Sequence, residues 1–483
     1  MTNPPALVWF RRDLRIKDNP ALHAAARSGA PLVCLFVLDN TGAFAAGGAS
    51  RWWLHHSLVA LQKSLSALGG TLVVMHGPAS KIVPQFVDKI GAKTVFWNRR
   101  YDPDGIETDR YLKTALQGAG VSVNSFNGAL IREPWETETG AGAFYRVFTP
   151  FWRAMQRLGP SRAEITAELD ASFKDLAKDI HTQGTGSNPW GLLPTAPNWA
   201  AEFPDSWVPG EIGAHKALRD FVASTIDTYD TDRNRPDLER TSRLSPHLAF
   251  GEISPLQIWN AVHAQISAGN IIEKSAMTFL SEIAWREFSY NLIYHYTDIQ
   301  TTPIKPNFAN FPWRDDDHLF QRWTKGQTGI PIVDAGMRQL WRTGWMHNRV
   351  RMIAASFLTK NLLIDWREGE RWFWDTLVDA DAASNTASWQ WVAGSGADAA
   401  PYFRIFNPVT QSEKFDPTGA YIRKYIPELR ELPDKYIHAP WKASHAILDE
   451  AHITLDQTYP KPIVDLQTSR QRALDAYATV KSS

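Results

Sequence analysis

Asp379-Ala-Asp381-Ala-Ala-Ser-Asn385-Thr-Ala-Ser-Trp389-Gln-Trp391 makes an unusual amphipathic segment. Read as a helix, it sets Asp381, Asn385 and Trp389 at successive i, i+4 positions on one face. That face carries a carboxylate, a carboxamide and an indole where a core-facing helix would carry large apolar residues. The spacers between Asp381 and Trp389 are only Ala, Ser and Thr. A flat ring with polar edges can therefore lie close against the backbone.

Outward from this segment the C-terminal half keeps a helical period. Residues 256–266, 276–294, 333–342, 350–361 and 369–377 each show apolar positions three and four apart. The N-terminal part reads differently. Ala6-Leu-Val-Trp-Phe10, the run from Leu32 to Leu38, Thr71-Leu-Val-Val-Met75 and Thr94-Val-Phe-Trp97 are short apolar strands, and residues 50–68 and 79–90 between them are helical. Asn19 followed by Pro20 is a helix start, a capping side chain before a first-turn proline. The expected fold is an α/β N-terminal domain with a parallel, doubly wound sheet, followed by a mainly α-helical domain. A Gly- and Pro-rich stretch over 181–210 reads as a connector. The expected division is 1–130, a connector over 131–210, and 211–483.

The chain has 483 residues, with Lys+Arg and Asp+Glu balanced at 51 each, so a polyanionic partner would need a local basic patch. The single cysteine, Cys34, sits in an apolar run and reads as a buried small hydrophobe. No basic segment with an apolar stretch opens the chain and no 18-residue apolar run appears, so a cytoplasmic protein without membrane association is expected. Tryptophan is the compositional outlier: of 21, eleven fall between Trp259 and Trp391. Large indole-rich cores are one reading, and stacking platforms or electron paths are the others.

Several clusters could carry chemistry. Glu282, Trp285 and Arg286 share one helical turn, which reads either as a grip on a heteroaromatic base or as an i, i+4 ion pair beside a core indole. Asn348 and Met352 share a face, an apolar surface with one hydrogen-bonding group. Arg349, Arg351 and Arg404 could hold phosphates or form internal ion pairs. Thr241-Ser-Arg-Leu-Ser245 clusters hydroxyls before a helical pattern, suiting a phosphate or an ordinary cap. Nicotinamide, P-loop, zinc-hydrolase and serine-hydrolase signatures are missing, and no metal site is expected.

Together these stretches resemble the photolyase/cryptochrome family. The similarity is carried by Val8-Trp-Phe-Arg-Arg-Asp-Leu-Arg15, Phe148-Thr-Pro-Phe-Trp152, Thr241–Ser245, Trp285-Arg-Glu-Phe288 and Gly329-Ile-Pro-Ile-Val-Asp-Ala-Gly-Met337. Trp345-Met-His-Asn-Arg349, Asp365-Trp-Arg-Glu-Gly369 and Asp398-Ala-Ala-Pro-Tyr-Phe-Arg404 extend it across the chain. The resemblance implies an antenna domain and a helical domain holding FAD. Tyr229, Thr241, Ser242, Arg243, Leu244 and Ser245 would hold the ribityl and pyrophosphate part. Asn348, Arg351, Asp379, Asp381 and Asn385 would surround the isoalloxazine, with Arg351 and Asp379 salt-bridged. Trp389, Trp366 and Trp313 would relay electrons from the surface.

The same resemblance implies light-dependent repair of cyclobutane pyrimidine dimers in UV-damaged DNA. Glu282, Asn348, Met352 and Asn385 would be the catalytic set, and Glu282, Trp285, Arg286, Arg349, Trp391 and Arg404 would meet the lesion or its strand. Plant cryptochromes carry Asp where Asn385 stands. An amide cannot hand a proton to a reduced flavin, which favours the anionic form a repair enzyme needs. Asn348 and Met352 match dimer-repairing members, whereas six-four photolyases carry consecutive histidines there. A cryptochrome-type photoreceptor is the alternative, disfavoured by Asn385 and by the short Lys481-Ser-Ser tail; a six-four photolyase is the other. Ser50-Arg-Trp-Trp-Leu54 and Tyr101-Asp-Pro103 are similar to the class III subgroup. They suggest a methenyltetrahydrofolate antenna, with a deazaflavin as the alternative. A monomer with no obligate protein partner is expected.

Overall fold

Seven consecutive residues of one strand, Leu32–Leu38, are all buried, which requires cover on both faces of the sheet. In the computed structural model, which describes residues 3–175, 187–398 and 403–481, that cover is complete. Strands β1 (Ala6–Phe10), β2 (Leu32–Leu38), β3 (Leu72–His76), β4 (Thr94–Asn98) and β5 (Ser122–Phe126) form one sheet in the order β3-β2-β1-β4-β5. Every pairing is parallel, with Val8 opposite Cys34 on one side of β1 and opposite Phe96 on the other. Helices α1 (Pro20–Arg27), α2 (Gly48–Ala67), α3 (Ala79–Ile90) and α4 (Pro103–Gly118) make the crossovers. Asn19 caps α1 through Leu22 N with Pro20 in the first turn, as the sequence predicts. Strand β5 escapes sequence reading because its polar run Ser-Val-Asn-Ser-Phe lies at the sheet edge and is mostly half-buried. Burial pushes the Cys34 thiol up to about 12, leaving it inert.

The order reverses between β1 and β4, so their carboxyl ends open a crevice at a topological switch point. Helix α5 (Phe148–Leu158) follows, inside the stretch expected as connector. The helical part then runs through α6 (Glu211–Ser224), α7 (Tyr229–Asp232), α8 (Ser245–Ala249), α9 (Pro255–Ser267) and α10 (Glu273–His295). It continues with α11 (Asp317–Thr324), α12 (Pro331–Thr343), α13 (Asn348–Ser356), α14 (Trp366–Thr376) and α15 (Ala382–Ala393). The predicted helix over 350–361 divides, because the α-helix ends at Ser356 and Phe357–Leu362 continue as a π-helix. Positions 176–186 of the expected connector and 399–402 of the Asp398–Arg404 motif lie outside the described residues.

One core cluster runs across the junction. Trp53 and Phe10 from the sheet side pack with Phe250, Trp345 and Val378 from the helical side. Trp53 Nε1 donates to Glu252, which is also bonded to His247, so the linkage is polar as well as apolar. The two parts therefore hold a fixed relation, and the crevice at the switch point is roofed by Tyr290, Trp374 and Asp381. Among the described residues no helix is long and apolar enough to cross a membrane.

Candidate functional site

Arg351, near the start of α13, donates from both Nη atoms to Asp379, at 3.1 and 2.7 Å, and from Nε to the Met346 carbonyl at 2.7 Å. A bidentate pair of this kind fixes the guanidinium plane. Ser245 Oγ donates to the same Asp379 Oδ2 at 2.7 Å. The hydroxyl cluster is thereby tied to the carboxylate. The rest of that cluster surrounds a tight turn: Arg243 has φ 53°, and its guanidinium lies 4.1 Å from the Trp207 ring centre and 4.8 Å from that of Trp345. Leu244 is buried, while Thr241 and Ser242 are half-buried and Ser245 is exposed. Tyr229 begins α7 with its ring edge-on to Phe221 and Phe279, and burial pushes its hydroxyl pKa up.

Asn385 is buried on the first turns of α15, and its Nδ2 donates to both the backbone oxygen and Oε1 of Glu370, each at 3.1 Å. A backbone carbonyl can only accept, so the amide nitrogen must face Glu370 and the Asn385 oxygen faces the other way. Thr386 Oγ1 also donates to Glu370 Oε1, and burial raises the Glu370 pKa against these two bonds. Sequence reading missed Glu370. Its signal was the adjacency to Asp365-Trp-Arg-Glu-Gly369, which marks α14 as the neighbour of α15. Gly369 permits that contact, since a Cβ there would stand 2.1 Å from the Trp389 ring.

Asp381 does not sit inside a helix as the i, i+4 reading requires. Helix α15 starts at Ala382, and Asp381 is its N-cap, accepting from Ser384 N at 2.8 Å. Its second oxygen accepts from Tyr290 Oη at 2.5 Å, which turns the carboxylate into the crevice beside Arg12, Tyr101 and Asp102. The helix-face argument thus holds for Asn385 and Trp389, and fails for Asp381 because Ser384 two residues inside the helix recruits it as a cap.

Helix α10 carries Glu282, Trp285 and Arg286, and of the two readings open from sequence the i, i+4 ion pair does not form. Glu282 bonds Arg233 at 2.6 Å. Burial raises its pKa, opposed chiefly by Arg233. Arg286 turns inward, donating to the Ala129 carbonyl at 2.9 Å and to Glu287 at 3.2 Å, with its guanidinium over Tyr290. It ties α10 to the segment after β5. Arg233, hidden in a charge-rich stretch, takes the place beside Glu282.

Trp285 stacks on Phe148 with centroids 3.7 Å apart and planes 8° from parallel. Trp391 is half-buried and donates from Nε1 to the Asp398 carbonyl at 3.2 Å. Asn348 is exposed at the start of α13, with Met352 half-buried one turn on. Arg349 donates to Asn234 Oδ1 at 2.6 and 3.2 Å and lines a groove of about 520 Å³ with Arg404, Lys414, Arg470 and Phe415. Four cationic side chains on one groove make a basic patch in a chain of no net charge.

The three predicted relay indoles belong to one core region. Trp389 and Trp366 are 2% and 1% exposed, whereas Trp313 is only partly buried at its margin. Two of the three are fully buried, and only Trp313 reaches towards solvent. The ring neighbours of Trp389 are Phe373 at 5.0 Å and Trp323 at 6.3 Å, and Trp313 lies 4.3 Å from Phe311.

The donors and acceptors suit a ring with mixed polar edges. Asn385 offers an outward carbonyl, Asn348 an exposed amide, and Thr241 and Ser242 hydroxyls at a turn. His347 Nε2 is a buried atom without a partner, and burial together with the Arg351 and Arg349 charges pushes this imidazole down to about 3, so it is neutral. In the crevice, Arg12 Nη1 is likewise buried and unpartnered. The closed part of that crevice holds about 40 Å³. Among the described residues no group of acidic, His and Cys side chains could hold a metal ion.

The sequence matches the family model for DNA photolyase over residues 6–169, and that for the FAD binding domain of DNA photolyase over residues 279–479. It is 50% identical to the deoxyribodipyrimidine photo-lyase of Agrobacterium fabrum over 479 residues, covering 99% of this chain and 98% of that protein. Cryptochrome-1 of Arabidopsis thaliana is 38% identical over 489 residues, covering 98% of this chain and 70% of that protein. A crystal structure of a bacterial class III photolyase from Agrobacterium tumefaciens superposes with a TM-score of 0.94 at 49% identity, covering 100% of this chain and 99% of that one.

Proposed function

This chain belongs to the DNA photolyase family, on its class III-type branch, and from that footing we propose that it uses light to repair cyclobutane pyrimidine dimers in DNA. The observation that carries the reading is the outward carbonyl of Asn385, locked by Glu370 at the one position where a proton donor would favour the alternative, a photoreceptor. Bound FAD in its reduced form would lend one electron on excitation and take it back once the dimer's two C–C bonds have parted, with no net oxidation.

We assign the protein's own part as follows. Tyr229 and Thr241–Ser245 hold the non-ring part of FAD; Asn348, Arg351 and Asp379 orient the isoalloxazine. The Asn385 oxygen accepts without supplying a proton. Asp381 acts from the crevice side, through Tyr290. Trp285 and Trp391 wall a pocket for the flipped-out dimer, since a stacked base pair cannot reach a buried ring. Glu282, held by Arg233, meets the dimer's polar edge, and Asn348 and Met352 line the floor. Arg349 and Arg404 contact phosphates along the basic groove. Trp389, Trp366 and Trp313 would relay electrons from an external reductant at the surface to bound FAD. The chain divides at 1–130, 131–210 and 211–483, works as a cytoplasmic monomer, and carries a methenyltetrahydrofolate antenna, with a deazaflavin as the alternative. The crevice, where the Arg12 guanidinium lies over Phe250 and its Nη1 has no hydrogen bond, supports a second, anionic chromophore there.

The test is to mix reduced protein with thymine-dimer oligonucleotide, illuminate, and assay restored thymines. Recovery in light but not in darkness is expected. Binding without recovery would overturn repair in favour of sensing. The visible spectrum of the purified protein separates the two antennas.

A further inference from the structure

Asp398 is a non-glycine residue in the left-handed region, at φ 51°. Asp tolerates this conformation better than most residues but still at some cost. Three contacts follow from that turn. Its backbone carbonyl accepts from Trp391 Nε1 at 3.2 Å. Its carboxylate Oδ2 accepts from Phe148 N at 3.3 Å, across 250 positions of sequence. The neighbouring Ala397 packs against the cluster that contains Phe148 and Trp285.

Phe148 is the first residue of α5, whose N-cap, Val147, makes no side-chain cap bond. The Asp398 carboxylate therefore supplies from a distant segment both the missing acceptor and the negative charge a helix N-terminus favours. Phe148 in turn lies flat against Trp285. One residue thus reaches the back of one aromatic wall through α5 and the edge of the other through its carbonyl. Burial raises the Asp398 pKa, and the Phe148 bond opposes this only in part.

We propose that Asp398 is a positioning residue that sets the distance between Trp285 and Trp391, and so the width of the slot that receives the flipped-out dimer. The inference rests on the reading of that slot as the lesion pocket. It assigns Asp398 no contact with the dimer or with FAD.

The experiment uses full-length holoprotein and three variants, Asp398→Asn, Asp398→Gly and Asp398→Ala. Each is measured for FAD content, for flavin photoreduction, and for dark binding to oligonucleotides with and without a thymine dimer. Asn keeps an oxygen acceptor and tolerates the left-handed turn, so it should bind dimer DNA within about threefold of the wild type. Gly relieves the turn but removes the acceptor and should bind about tenfold more weakly, the size of one lost charge-assisted bond. Ala, strained and without an acceptor, should be weaker still. Affinity for undamaged DNA and the photoreduction rate should stay unchanged throughout. If Ala does not fold, Gly decides. Gly binding like the wild type, Asn binding as weakly as Gly, or parallel losses for damaged and undamaged DNA would each overturn the proposal. A wild-type protein that shows no preference for dimer DNA would instead overturn the lesion-pocket reading beneath it.

Discussion

Trp389 and Trp391 are two residues apart on α15 and live in opposite surroundings. Trp389 is 2% exposed and wedged between Phe373 and Trp323, while Trp391 is half-buried with its nitrogen tied to the Asp398 carbonyl. Two helical steps turn a side chain by about 200°, so one helix can face a core and a half-exposed surface with the same residue type. Helix α10 repeats the division with carboxylates. Glu282 reaches Arg233 on the pocket side, and Glu287, 3% exposed, accepts from Ile131 N at the seam with the sheet domain. Chemistry in this molecule follows helical phase more than residue type.

The sharpest way to break the comparison is to cut each side of α15 separately. Trp366→Phe should abolish photoreduction of the oxidised flavin and leave dark affinity for dimer DNA unchanged. Trp391→Ala should do the reverse, weakening dimer binding about tenfold or more, as expected when a base loses an aromatic stacking partner. Transient absorption and fluorescence anisotropy measure the two effects. Equal damage by either variant to both properties would mean the two faces are not independent.

Next in size is Glu282. Glu282→Ala should lower the repair yield by up to about a hundredfold, the range for losing one polar group at a reacting centre. FAD content should be retained, because the Arg351–Asp379–Ser245 chain does not include Glu282. Loss of FAD on gel filtration would show that the Arg233 pair is structural and that α10 has no working face here.

How much of this was readable from residues alone differed between the two halves. The sheet was legible because runs such as Leu32–Leu38 are apolar throughout, and only β5, polar and at the edge, was missed. Helix faces were legible wherever the period was unbroken, as for Asn385 and Trp389. Partners were not. Arg233 and Glu370 reach the site from separate elements, and nothing in one-dimensional spacing says which of several charges will be near. The helical placement of Asp381 misled for the same reason, because the Ser384 amide recruits its carboxylate as a cap.

Asn385→Asp probes the pocket-facing oxygen with a smaller, spectroscopic effect. The introduced carboxyl would lie against Glu370, whose pKa burial already raises. Two acids in contact cannot both ionise easily, so one proton should be shared between them at neutral pH. That proton is then available at the position where the amide offers none. The visible spectrum of the photoreduced protein should move towards the protonated form of the flavin, and an unchanged spectrum would refute proton control by this residue.

Glu287 tests the seam side of α10, through stability and not through activity. Burial pushes its pKa from 4.5 to about 7, against the pull of Arg286 and the Ile131 and Arg132 amides. Below about 4.5 both folded and unfolded chains hold the proton and nothing is lost. Between 4.5 and about 7 the unfolded chain releases its proton while the folded one keeps it, so this group's contribution to stability falls as pH rises. Glu287→Gln keeps an oxygen for Ile131 N and cannot ionise. Relative to the wild type it should gain up to about 3 kcal/mol between pH 4.5 and 7, read as a difference in urea midpoints. A constant difference across that range would mean Arg286 holds Glu287 charged throughout, making the buried carboxylate as firmly paired as Glu282 on the opposite face.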